Sequence, residues 1–316
     1  MMWDWICVGV GLVLLLLAGD SLVKGAVNMS LRLGVPALIV SLTIVAFGTS
    51  APELLISIQA IWDDVPGLAL GNVVGSNTAN VLLVLGVPAL FATIQTRDHD
   101  TRSSYLQMVG ASVLFIVLCF MGPLTWLSGI ILLAALFAML TIAFLSAKKH
   151  RKSASGDDEE DVEGADPNLV WWKIIGFLGL GLLGLPIGAR LLVDGSVNIA
   201  RDFGISETVI GLTLVAIGTS LPELATTVMA TIRRQADVAL GNVIGSNMFN
   251  LLAIMGVASI VGTIPVEPAV LRFDIWVMLG ATLLMIPFVF FRQNITRAWG
   301  IGLSALYVAY LFVVLI

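Results

Sequence analysis

Two cysteines and two histidines are all that the 316 residues contain. Cys7 and Cys119 both fall inside hydrophobic segments, so neither a disulfide framework nor a thiolate metal motif can be built from them. His99 and His150 lie in loops, which removes imidazole from any buried site. Charge is scarce as well. Asp, Glu, Lys and Arg make up 12% of the chain against 58% hydrophobic residues, with a mean hydropathy of +1.01. That balance excludes a soluble globule. Short strands of alternating polarity, the mark of a membrane β-barrel, are missing too. The opening MMWDWICVGV has no basic n-region and no A-x-A site, and reads as a first spanning helix rather than a cleaved signal.

What the sequence does have is apolar runs of about 18 or more residues along its whole length, the pattern of an all-α membrane protein. Ten segments are expected, at 3–31, 36–62, 67–92, 104–122, 124–146, 169–200, 205–232, 236–262, 273–291 and 296–316. The one long polar interval, 147–168, separates five from five and defines three parts: 1–146, a linker, and 169–316. Its acidic run, Asp157 to Asp161, lacks the Gly turn and ligand spacing of an EF-hand loop and is assigned no site. Loops on one side of this layout carry eleven Lys and Arg, and those on the other only Arg201 and Arg272. The positive-inside rule then puts the linker in the cytoplasm and both termini outside it.

The chain is written twice. Shifted by 170 residues, Gly48-Thr49-Ser50 falls on Gly218-Thr219-Ser220 and Pro52-Glu53 on Pro222-Glu223. Without a gap, Gly71-Asn72-Val73 falls on Gly241-Asn242-Val243, Gly75-Ser76-Asn77 on Gly245-Ser246-Asn247, and Asn80 on Asn250. An odd number of segments per repeat requires the two halves to insert in opposite directions, as inverted repeats. The turns agree: Asp63-Asp64 ends the second segment, whereas Arg233-Arg234 ends the seventh. Charges also exchange within the membrane. Asp20 and Lys24 stand four apart on the first helix, and Arg190 and Asp194 stand four apart on the sixth with the signs reversed. Pairs at that spacing share a helix face, and a structural or gating salt bridge is expected of each.

The motif G-T-S-x-P-E puts a proline where the helix needs a donor to the carbonyl of Gly48, and again of Gly218. The expected result is a broken helix with free carbonyls at membrane depth, tolerated only in a protein-lined or polar site. Ser50-Ala51-Pro52-Glu53 reads as the cap of a second half-helix, with Glu53 at capping-box distance. A proline kink packed by small residues would give part of this pattern. Glu53 and Glu223 argue against that alone, since a charge at the bilayer centre costs about 3 kcal/mol even on a mild scale and usually marks function. In the second motif, G-N-V-x-G-S-N-x-x-N, Ser76 and Asn80 share one helix face, as do Ser246 and Asn250, and all four are candidate ligands. Gly71 and Gly75 permit close helix contact, and Asn72 and Asn242 read as interhelical glue. The inventory is carboxylates, hydroxyls, amide oxygens and carbonyls, a hard oxygen set suited to Ca²⁺ or Na⁺. Two carboxylates neutralise one Ca²⁺ or a set of Na⁺ ions, so the ions should compete. Competition at one site reached alternately from each side is exchange.

These residues resemble a known family. "GTSAPE…GNVVGSN" and "GTSLPE…GNVIGSN" are similar to the two α-repeats of the sodium/calcium exchangers, within the cation/Ca²⁺ antiporters. The resemblance implies a Ca²⁺ site made by Glu53, Glu223 and the carbonyls of Thr49 and Thr219. It implies Na⁺ sites made by Ser50, Ser220, Ser76, Ser246, Asn80, the carbonyls of Ala46 and Ala216, and the same Glu pair. It further implies that the first and sixth helices slide across the other eight. No enzyme, cofactor, nucleic acid or obligatory protein partner is implied; the ions are substrates and the bilayer is the surroundings. Asn at both 80 and 250, where a K⁺-co-transporting exchanger usually carries an Asp at the second position, points to K⁺-independent transport. A H⁺/Ca²⁺ antiporter and a K⁺-dependent exchanger are the rival readings. A Ca²⁺ channel would need a ring of like subunits, and an intramembrane enzyme would need a nucleophile or metal triad; neither is present.

Overall fold

The computed structural model describes residues 2–97, 100–153, 166, 169–204 and 216–315. The linker's acidic run, His99 and the first part of the expected 205–232 segment lie outside them, whereas His150, expected in a loop, falls within the helix that runs to Ser153. Among the described residues the chain is helical, with two isolated antiparallel bridges, Ile94–Ile295 and Leu124–Ile264.

The first long helix is α1 (Met2–Leu33). It is followed by α2 (Ala37–Thr49) and α3 (Ala51–Trp62), a helix pair bent by 41°. Then come α4 (Pro66–Phe91), α5 (Arg102–Phe120) and α6 (Trp126–Ser153). The second half has α7 (Trp171–Asp202), the short α8 (Ala216–Thr219) and α9 (Leu221–Ile232). It closes with α10 (Ala236–Val261), α11 (Val270–Val289) and α12 (Arg297–Leu315). Eight of these helices are long and apolar enough to cross a membrane, or nine if the α2–α3 pair counts as one span. The protein is thus a multi-pass helical membrane protein. Exposed tryptophans near helix ends, among them Trp3, Trp62, Trp126 and Trp172, suit the interfacial belt where an apolar ring with one polar edge is stable.

Burial sorts the helices. The most apolar windows of α4 and α10 are 78% and 83% buried, against 17% for α6 and α12. The two helices that carry the G-N-V-x-G-S-N motif therefore form the centre, and α6 and α12 face lipid. α1 and α7 pack along each other through glycines: a Cβ at Gly188 would fall 3.0 Å from the Leu15 amide, and one at Gly11 2.8 Å from the Gly188 carbonyl. Such backbone approach is how small residues hold membrane helices together. Ser21 adds a hydrogen bond to the Phe177 carbonyl, 2.8 Å.

Gly241 and Gly245 bring α10 against α2, with Cβ positions 2.8 Å from the Leu38 carbonyl and 2.5 Å from that of Leu42. The contact expected at Gly71 and Gly75 is not found among the described residues, where a Cβ at either meets nothing within 4 Å. Contacts recur at the repeat offset. Gly86 packs on Leu303 and Gly256 on Leu133, and Asp64 and Arg234, which end α3 and α9, share positive φ values of 60° and 57°. Residues 41–45 of α2 and 249–254 of α10 are π-helical; the first stretch precedes the G-T-S-x-P-E motif, and the second contains Asn250. Inserted turns of this kind re-aim side chains and are frequent at functional sites.

Candidate ion-binding site

Pro52 and Pro222 each occupy the first turn of a helix, α3 and α9, where a missing N–H costs nothing. The residue before each helix holds the same backbone: Ser50 has φ −85° and ψ 3°, and Ser220 φ −88° and ψ 5°. The expected gap between half-helices is therefore a one-residue kink. It is bridged by hydrogen bonds from the Ser50 amide to the Ala46 carbonyl, 3.0 Å, and from the Leu54 amide to the Ser50 carbonyl, 3.2 Å. The expected capping box does not form either. Neither serine caps its helix through its side chain, and the Ser50 hydroxyl instead donates across the repeat to Glu223 Oε1, 3.1 Å. A carboxylate brought near by packing is a stronger acceptor than anything local can offer.

Around Glu223 a cluster of hydroxyls closes. Ser246 donates to the same Oε1 at 3.4 Å, Thr49 Oγ1 lies 3.4 Å from Ser246 Oγ, and Thr49 donates to Asn242 Oδ1 at 3.3 Å. Asn242 in turn donates to the Glu223 carbonyl, 3.1 Å, and to Thr227 Oγ1, 3.0 Å. Asn72 repeats this 170 residues earlier, donating to the Glu53 carbonyl and to Ser57 Oγ. Both asparagines join helices, as expected, and both also fix the backbone of a Glu.

Glu53 and Glu223 are 1% and 0% exposed. Thr49, Ser50, Ser76, Asn80, Ser220, Ser246, Asn250 and Ala46 are buried with them; Thr219 is half-buried, and Ala216 opens α8. Among the described residues, several of these polar atoms have no hydrogen-bond partner: Oε2 of Glu53 and of Glu223, Oγ of Ser220, Oδ1 of Asn80, and both amide atoms of Asn250. Leaving a buried polar atom unpaired costs about 1–3 kcal/mol, and more for a charge. Such a concentration of unpaired atoms on the residues of the two repeated motifs points to a use other than pairing with the protein's own groups. Five of the orphaned atoms are oxygens, which fits a hard cation. No group of three or more His, Cys, Asp or Glu occurs among the described residues.

Two features were not legible from the motifs. Asn80 Nδ2 donates to Asn247 Oδ1 at 3.4 Å, and Asn247 Nδ2 donates to Met108 Sδ at 3.5 Å. A thioether can only accept, so Met108 turns the Asn247 amide, and Asn247 turns that of Asn80 so that its oxygen is the free atom. The other is Arg233, which reads in sequence as a loop cation. It is half-buried and pairs with Asp20, whose second oxygen holds Lys24 at 3.0 Å. The Asp20–Lys24 and Arg190–Asp194 pairs expected on α1 and α7 both form, the latter at 3.5 Å.

A buried, oxygen-lined centre at the kink of a spanning segment, within a multi-pass helical bundle, is the construction of an ion transporter. The sodium/calcium exchanger protein family profile matches residues 3–145 and 173–316. A putative antiporter, CaxA, of Alkalimonas amylolytica is 38% identical over 88% of this chain and 86% of its own. The sodium/calcium exchanger MaX1 of Methanosarcina acetivorans is 35% identical over 96% of each chain. Among solved structures, the sodium-calcium exchanger NCX_Mj, crystals of which were soaked without Na⁺ and Ca²⁺, superposes with a TM-score of 0.80. It is 31% identical, covering 98% of this chain and 97% of its own. The chain belongs to the sodium/calcium exchanger family, whose members are cation/Ca²⁺ antiporters and not enzymes.

Proposed function

We propose that this protein exchanges Na⁺ for Ca²⁺ by alternating access, without need of K⁺. Its two halves, 1–146 and 169–316, are inverted five-helix repeats joined by a cytoplasmic linker at 147–168, with both termini outside. The reading is carried by one observation: two fully buried carboxylates stand on repeat-related kinks among unpartnered oxygens. Glu53 and Glu223 neutralise one Ca²⁺ with the carbonyls of Thr49 and Thr219. Ser50, Ser220, Ser76, Ser246, Asn80, Asn250 and the carbonyls of Ala46 and Ala216 spread the same negative charge over Na⁺ ions. Asn at both 80 and 250 limits the centre to two carboxylates, so Ca²⁺ alone balances it and no additional monovalent cation is called for.

The recurrence of the kink geometry and of the Asn72 and Asn242 hydrogen bonds supports the repeat, and the exchange of Asp63-Asp64 for Arg233-Arg234 supports its inversion. Uptake of ⁴⁵Ca into proteoliposomes tests the coupling. An outward Na⁺ gradient should drive uptake, and a H⁺ gradient of equal size should not. Uptake that follows the proton gradient alone would move the protein to the proton-coupled antiporters, which can use the same two carboxylates as proton carriers.

A further inference from the structure

Asp20 is held from two directions. One oxygen pairs with Lys24 on its own helix, and the other with Arg233 at the end of α9, on a different part of the bundle. Only 19% of the Asp20 side chain is exposed. The helices are closed together there: a Cβ at Gly19 would sit 3.0 Å from the Ala225 carbonyl of α9. Shifted by the 170-residue repeat offset, Asp20 and Lys24 fall on Arg190 and Asp194, and Arg233 falls back on Asp63, with every sign reversed. In the structure that second set is apart. Arg190 and Asp194 pair with each other with 84% and 66% of their side chains exposed. Asp63 accepts from Gln59, 2.9 Å, on the protein surface, and α7 has no packing on α3 comparable to that of α1 on α9.

We propose that Asp20–Arg233 and Arg190–Asp63 are two alternating latches, one at each mouth of the ion path, and that only one is closed at a time. This rests on the inverted-repeat reading above. The structure holds the cytoplasmic latch closed and the outer one open. The sliding of the first and sixth helices that the family resemblance implies, with α1 and α7 moving as one closely packed pair, parts Asp20 from Arg233 and carries Arg190 to Asp63. The i,i+4 partners then have a defined purpose. A charge left unpaired in a low-dielectric setting is strongly disfavoured. Lys24 travels with Asp20, and Asp194 with Arg190, so each latch residue keeps a counter-charge while its latch is open. The reversal of sign between repeats has a second consequence: neither latch can pair with the wrong mouth, since Asp20 repels Asp63 and Arg190 repels Arg233.

The test uses full-length protein in proteoliposomes, freed of native thiols by Cys7→Ala and Cys119→Ala. Single variants Arg233→Cys and Asp63→Cys are first labelled with an impermeant thiol reagent from each side. Labelling from the same side would remove the inverted repeat and this proposal with it. With labelling from opposite sides, the pairs Asp20→Cys/Arg233→Cys and Arg190→Cys/Asp63→Cys are treated with a bis-methanethiosulfonate cross-linker that makes up for the lost Arg side-chain length, since a direct disulfide needs a closer backbone approach than an Asp–Arg pair requires. Each should form a cross-link that stops Ca²⁺–Ca²⁺ exchange, and the fourfold variant should never hold both in one molecule. Absence of the second cross-link, or both at once, would overturn the latches while leaving the repeat intact. In the native-thiol protein, Asp20→Lys should slow Ca²⁺–Ca²⁺ exchange about tenfold or more. Adding Arg233→Asp together with Lys24→Asp, which reverses all three signs and keeps the i,i+4 counter-charge, should restore most of that rate, and failure to restore it would count equally against the pairing. Because this readout needs no Na⁺, it is independent of which ion drives Ca²⁺.

Discussion

Replacing Glu223 by Gln removes one negative charge and leaves the rest of its surroundings usable. The Gln Oε1 can still accept from Ser50 and Ser246, which now donate at 3.1 and 3.4 Å, and the Asn242 bond to the backbone carbonyl is untouched. Folding should therefore survive. Binding should not. Two unit charges about 4 Å apart interact by about 4 kcal/mol at an effective dielectric near 20, and a divalent ion doubles that. Solvation offsets part of the loss for any ion, yet Ca²⁺ is penalised about twice as heavily as Na⁺. Taking even the single-charge figure, Ca²⁺ affinity falls about a thousandfold, since each 1.4 kcal/mol is a factor of ten. Glu53→Gln should do the same, because Glu53 is as deeply buried. The assay is Na⁺-driven ⁴⁵Ca flux at micromolar Ca²⁺, with thermal unfolding of the purified variants as the control for folding. Near-normal flux and an unchanged half-saturating Ca²⁺ concentration in either variant would refute the shared-site reasoning.

The two repeat-related serines should differ in the ion-free protein. Ser50→Ala loses a hydrogen bond to a carboxylate, about 1.5–3 kcal/mol, whereas the Ser220 hydroxyl has no partner among the described residues, so thermal unfolding should shift clearly for the first and little for the second. Gly245→Ala places a Cβ 2.5 Å from the Leu42 carbonyl and should destabilise the bundle by about 1–3 kcal/mol, read as a lowered unfolding temperature. Asn247→Leu frees the Asn80 amide to turn and leaves its Nδ2 without an acceptor, and should raise the half-saturating Na⁺ concentration with only a modest fall in unfolding temperature. With K⁺ replaced by choline on both sides, Na⁺-driven Ca²⁺ flux should persist; loss that K⁺ reverses would show that Asn250 does not report K⁺ independence.

The centre was legible because burial of charge is costly. A Glu inside an apolar run, repeated at a fixed offset beside a proline, is improbable unless the bundle has a use for it, and Glu53 and Glu223 are each buried in the first turn after a kink. The i,i+4 pairs were legible because helical spacing alone places them on one face. What sequence patterns do not carry is the direction of a side chain that has two possible partners. Ser50 has the spacing of a cap, yet it turns to a carboxylate 173 positions away, and Arg233 turns from solvent to Asp20, 213 positions away. Both choices depend on how α1, α3 and α9 are packed, a long-range outcome. The π-helical turns in α2 and α10 are equally silent, since no residue type announces an inserted turn.

Equilibrium ⁴⁵Ca²⁺ binding to the purified protein, measured over a series of Na⁺ concentrations, tests most directly whether one centre serves both ions. A single shared centre predicts that the apparent dissociation constant for Ca²⁺ rises steadily with Na⁺, that the number of sites at saturating Ca²⁺ stays constant, and that Glu53→Gln or Glu223→Gln abolishes the binding. Ca²⁺ affinity that is indifferent to Na⁺, or Ca²⁺ that remains bound when both carboxylates are replaced, would contradict it.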